Sequence, residues 1–162
     1  MLKSFSDLPA DSRLWIFASD RELTGADAET IRTTMTEFLT GWKAHGAAVE
    51  AGFEVQHDRF LLIASSDAMA DPSGCSIDDM TRNVRQLGEK LGINFMPGAQ
   101  VFYRTNGKVE SADRPTFKQL AKQGAINGGT TVYNTMVTSM TDLTAGKWEL
   151  PAGESWHKQL LG

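Results

Sequence analysis

At 162 residues, with 41% apolar and 22% charged side chains, the chain has the composition of one compact domain that needs no disulfide or metal staple. Sixteen Lys and Arg against twenty Asp and Glu leave a net charge of −4, which argues against a protein that neutralises a phosphate backbone, so no nucleic acid partner is expected. No apolar run approaches the roughly 20 residues that cross a bilayer, and the segment MLKSFSDLPADSR lacks a signal-peptide core. The expectation is a cytoplasmic protein with no membrane partner.

Arg13 to Ser19 is apolar on consecutive residues in its LWIFA core, the pattern of a central strand covered on both faces. Thr24 and Asp27 have the spacing of an acidic capping box. Behind them Ile31, Met35, Phe38, Leu39 and Trp42 line one stripe of a helix expected from Gly25 to about Ala44. Gly46 would close it in a left-handed cap, with Lys43 and His45 complementing the dipole. From Ala47 the period drops to two, with Val49, Ala51, Phe53 and Val55 on one face of an edge-like strand. His57, Asp58 and Arg59 make a polar turn into Phe60 to Ala64, FLLIA, which is again apolar on both faces. Ser76 and Asp79 are spaced to cap a second helix with the stripe Ile77, Met80, Val84, Leu87 and Leu91, ending at Gly92. Gln100 to Arg104 reads as a strand, and Asn106-Gly107 as a two-residue hairpin turn into Lys108 to Ser111.

Strand, helix, strand, strand, helix, strand, with the first and third strands the most apolar, is the order of an α+β ferredoxin-like plait (βαββαβ), whose first and third strands lie in the middle of a four-stranded sheet. Both helices then share one face. The other must be covered by a C-terminal extension: a helix from about Arg114 to Gln123, a turn at Asn127 to Gly129 and a β-rich run from Thr130 to Val137. A sheet-to-sheet homodimer is the alternative cover. Trp148 and Trp156, with Pro151, Leu160 and Leu161, make the tail too apolar to float, so it should dock on the body. The reading is one domain, 1–162, with a plait core over about 13–104 and an extension over about 105–162, as a monomer or homodimer.

The run most suggestive of chemistry is SGCSID, Ser73 to Asp78. The first turn of a helix leaves amides without partners, its dipole favours an anion, and Gly74 permits close approach. Ser73, Gly74, Cys75 and Ser76 are therefore candidate ligand-binding residues for a small anionic ligand. The anion could instead be the thiolate of Cys75, the only cysteine, with His45 as candidate base. The plainer reading makes Ser76 and Asp79 caps and Cys75 a small buried filler. His57 is the poorest partner for Cys75 on the plait drawing, and His157 lies in the tail. No metal site is expected from three scattered histidines and one cysteine, and no cofactor is implied, since no phosphate loop, dinucleotide fingerprint, nucleophile elbow or HExxH helix is present. Trp42 and Phe38 read as core.

The segments LPADSRLWIFASDREL, WKAHGAAVEAGFEV, SGCSID, FKQLAKQGAI and WELPAGESWH together resemble a family of small bacterial cytosolic proteins whose members are often labelled ABC-transporter ATPase. The resemblance draws attention to His45, Cys75, Trp156 and His157 without attaching roles to them. An ATPase of that kind needs a phosphate loop and a signature motif that the chain lacks, so the label does not transfer. Three functions follow as expectations: a module binding a small anionic ligand or a protein partner at Ser73 to Asp78, a thiol-dependent enzyme or redox sensor using Cys75, or an assembly partner acting through its sheet face or tail.

Overall fold

The computed structural model describes all 162 residues. Its principal elements are β1 (Arg13–Ala18), α1 (Gly25–Thr40), β2 (Lys43–Ala44), β3 (Ala47–Ala48), β4 (Glu50–Gln56), β5 (Phe60–Ser66), α2 (Gly74–Leu91), β6 (Val101–Thr105), β7 (Lys108–Ala112), α3 (Arg114–Lys122), β8 (Thr131–Tyr133), α4 (Met140–Thr144) and β9 (Glu149–Pro151), with a 3-10 turn over Trp156–Leu160. LWIFA and FLLIA are neighbours, as their composition predicts: β1 pairs antiparallel with β5, Trp15 opposite Ile63, and β4 pairs with the other side of β5. Every residue of β5 is buried. Leu61 and Ile63 pack with Ile31, Met35 and Leu39 of α1 and Met80, Val84 and Leu87 of α2, while Phe60, Leu62 and Ala64 turn to the opposite core.

That second core is closed by a second antiparallel sheet, in the order β7-β6-β8-β9. Phe102, Val109, Tyr133 and Trp148 face the first sheet, and the alternate residues Val101, Tyr103 and Val132 face α3 and the tail through Phe117, Ala152 and Leu160. The molecule is thus mixed α+β in four layers: two helices, a three-stranded sheet, a four-stranded sheet, and α3 with the C-terminal segment. No helix is long and apolar enough to cross a membrane.

The four-stranded plait does not form. Its first three strands keep the expected order, but β6 joins the second sheet and leaves β1 at an edge. After α2 the chain starts along that edge, where Asp20 and Ala18 donate to the carbonyls of Asn94 and Phe95. It is then diverted at Pro97, which has no amide to donate, and at Gly98, whose φ of 76° turns the backbone away. Farther along β1, Leu14 donates to Thr138. Borrowed carbonyls thus cover part of the edge that a fourth strand would have filled. The extension covers the second face from within the chain, and both tail tryptophans pack on the body.

The first helix is also shorter than its apolar stripe suggests. It begins at the Thr24–Asp27 capping box, reinforced by Arg21, which reaches the Asp27 carboxylate at 2.6 and 3.3 Å. It ends at Gly41 rather than near Ala44. His45 and Gly46, at φ 51° and 79°, form the two-residue turn of the β2–β3 hairpin instead of a helix cap. Trp42 stays in the core, but from outside the helix, and its indole N–H donates 2.9 Å to the carbonyl of Ser76.

One turn side chain ties the two sheets together. Arg59, only 5% exposed, donates to the carbonyls of Ser19 (2.9 Å) and Val109 (2.8 Å) and to Ser111 Oγ (2.7 Å). Its charge is satisfied by neutral oxygens and no carboxylate pairs with it; burial pushes its pKa down from the ordinary arginine value. A lysine keeps the charge but lacks the planar fork that serves three acceptors at once. Arg59→Lys is therefore expected to lower stability by about 1–3 kcal/mol, read from the urea midpoint at unchanged m-value.

Candidate functional site

The first turn of α2 is built differently from its sequence reading. Ser73, not Ser76, is the N-cap: its Oγ accepts the Ser76 amide at 3.3 Å, and Ser76 Oγ turns back to the Ser73 carbonyl at 2.9 Å. Asp79 pairs with Arg82 at 2.8 Å on the exposed face and caps nothing. The amides of Gly74 and Cys75 have no partner within the chain. Cys75 is exposed rather than a buried filler, and a Cβ on Gly74 would meet open space. No surface cavity opens onto either residue.

His45, the candidate base for Cys75, lies exposed on the β2–β3 turn, and no hydrogen bond or ion pair joins it to the thiol. The Trp42–Ser76 bond anchors the start of that hairpin to α2, which is as far as the structure draws the two together. His157 is consumed by the tail. It is 1% exposed, bonded through Nδ1 to Ser155 Oγ at 2.8 Å and stacked 4.0 Å from Trp156, which in turn lies under Arg114. Burial, with Arg114 adding to it, pushes its pKa down to about 4. No group of three His, Cys, Asp or Glu side chains is arranged to hold a metal ion.

A different constellation assembles at the rim where the two sheets meet. The β4–β5 turn, with His57 and Asp58 at φ 57° and 51°, carries His57 against the second sheet as it carries Arg59 beneath it. There β6 supplies Arg104 and β8 supplies Tyr133, while β9 places Glu149 opposite Tyr133 in register. Arg104 donates to the Tyr133 hydroxyl from Nε (3.1 Å) and Nη2 (2.9 Å). Nη2 also lies 3.1 Å from Glu149 Oε1 and 2.9 Å from His57 Nδ1. The Tyr133 hydroxyl in turn donates a hydrogen bond to Glu149 Oε1 at 2.9 Å.

Because a guanidinium only donates, His57 Nδ1 must accept, which places the imidazole proton on Nε2, 3.5 Å from Glu149 Oε1. Burial first, then Glu149, pushes the Tyr133 phenol up to about 12 against the pull of Arg104, so it remains a donor through the neutral range. The rings of Tyr133 and Trp148 back His57 at 5.3 and 5.7 Å. Arg104 is thereby fixed along one edge, while Nη1 has no partner within the chain and the side chain is 38% exposed. The cluster occupies open surface rather than a cavity.

No family model, curated protein or solved structure matches this chain. The rim cluster escapes a reading of the sequence because positions 57, 104, 133 and 149 share no spacing. They converge only when β9 pairs with β8 and the β4–β5 turn meets β6. His57 alone was visible, as a turn histidine.

Two outcomes check these placements. The unfolded chain takes up a proton on His157 near pH 6.5 that the folded chain refuses until about pH 4, so the contribution of the neutral ring is complete above about pH 6.5 and drains away as pH falls toward 4. His157→Gln should flatten that window by up to about 1.4 kcal/mol per pH unit, measured from urea midpoints at pH 7, 5.5 and 4. Iodoacetamide should alkylate Cys75 in the folded protein about as fast as in the urea-unfolded chain, with the rate unchanged by His45→Ala.

Proposed function

We propose that the protein is a small-anion-binding module whose recognition centre is the Arg104 rim. The observation that carries this reading is the unpartnered Nη1 of a guanidinium whose other edge is already held by Tyr133, Glu149 and His57. A cation fixed in orientation loses little freedom when a carboxylate or phosphate oxygen arrives, and its free N–H groups form short charge-assisted bonds. The His57 Nε2–H, beside Glu149, offers a second donor at the same rim. This places the anion on a side chain rather than on the α2 amides that the sequence favours.

Glu149 limits the affinity. It orients Arg104, yet as a like charge it repels the incoming anion, so occupancy by free phosphate is expected only in the millimolar range, on the order of −4 kcal/mol. Tyr133 keeps its proton across the neutral range and serves as a donor to Glu149, not as a base.

Titrating inorganic phosphate while following the Arg104 Nε–H and backbone amide resonances tests the reading. The Arg104 signal should shift saturably, and Arg104→Gln should abolish the response. Glu149→Gln, which removes the repelling charge while Tyr133 still holds the guanidinium, should tighten binding several-fold. Shifts confined to Gly74 and Cys75 would move the site to the first turn of α2. No saturable shift at either place would leave Arg104 a clasp between the two sheets.

A further inference from the structure

The edge of β1 is covered at two places and open between them. Leu14 donates to the carbonyl of Thr138 and Ala18 to that of Phe95. Alternate residues of an antiparallel strand point their N–H and C=O to the same side, so Ile16, midway between Leu14 and Ala18, aims both groups at that edge. Neither the N–H nor the carbonyl of Ile16 has a partner there. A cavity of ≈ 300 Å³ lies at the same spot, lined by Ile16, Ala18, Phe95, Pro97, Phe102 and Thr135 among others. The diversion at Pro97 and Gly98 that keeps β6 off this edge also makes the gap.

The open hydrogen-bonding pair and the hollow share one origin and lie at the same spot. Together they present a partial positive N–H beside a partial negative oxygen, in a hollow whose lining is mostly apolar residues. The charge pattern that complements it is an acceptor and a donor side by side on one edge of a small apolar molecule. A primary carboxamide or lactam has that edge; an ester or a tertiary amide does not. We propose that this hollow is a binding site for small apolar molecules bearing a primary amide or lactam edge. It is separate from the anion-binding rim, since the lining includes none of His57, Arg104, Tyr133 or Glu149.

Benzamide and N,N-dimethylbenzamide decide the matter on the natural chain. Benzamide should shift the Ile16 backbone amide saturably, together with the methyl signals of Ile16 and Thr135, and the dimethyl compound, which has lost the donor, should bind about tenfold more weakly. Thr135→Phe, which fills the hollow, should abolish the benzamide response while leaving the phosphate response of Arg104 intact. Equal binding of the two compounds would overturn the assignment, and so would the absence of a saturable shift at Ile16.

Discussion

The structure depends on one strand being apolar on both sides. All seven residues of β5 are buried, so neither face of the first sheet can be left to water, and two different covers are required. The two long helices supply one cover, and the chain from β6 onward supplies the other. At the ~25 cal/mol per Å² that apolar burial contributes, leaving either face open would forfeit several side chains' worth of stabilisation. The second sheet is apolar on its outer face as well, which is why α3 and the C-terminal segment, with Phe117, Ala152 and Leu160, form a fourth layer.

Stacking two sheets creates a seam, and the seam is where polar chemistry collects. Two side chains of the β4–β5 turn reach across it: Arg59 goes inward and is satisfied by carbonyl and hydroxyl oxygens, while His57 stays at the rim among Arg104, Tyr133 and Glu149. Inside, low dielectric makes three good acceptors worth a buried charge. At the rim, water remains available, so a guanidinium can keep one nitrogen uncommitted without penalty. The same turn thus yields one buried bond and one at the surface.

The α2 turn and the rim differ in how many groups converge. At α2 the hydroxyls of Ser73 and Ser76 are spent on the cap, the thiol stands alone, and the candidate base His45 belongs to a separate hairpin. At the rim, four polar side chains from four elements meet through bonds of 2.9 to 3.1 Å. Preorganisation of that kind is what separates a binding geometry from a favourable but unsupported end of a helix.

Much of the local structure was legible in the residues. The consecutive apolar runs of LWIFA and FLLIA announced paired buried strands, the Thr24–Asp27 spacing announced a cap, and Asn106-Gly107 announced a hairpin, because each is set by short-range geometry. The apolar stripe overstates the length of α1 because the periodicity of Trp42 continues past the helix, and His45-Gly46 serve a hairpin turn as readily as a cap. What the amino-acid order determined by itself was the two buried strands, the two long helices, the β6–β7 hairpin and which faces must be hidden; the β2–β3 hairpin, α4 and β9 were not written in any local pattern. Which sheet β6 would join, and therefore that residues 57, 104, 133 and 149 would meet, was decided by tertiary structure alone. Strand pairing is chosen by competition among distant partners, which no short-range pattern records.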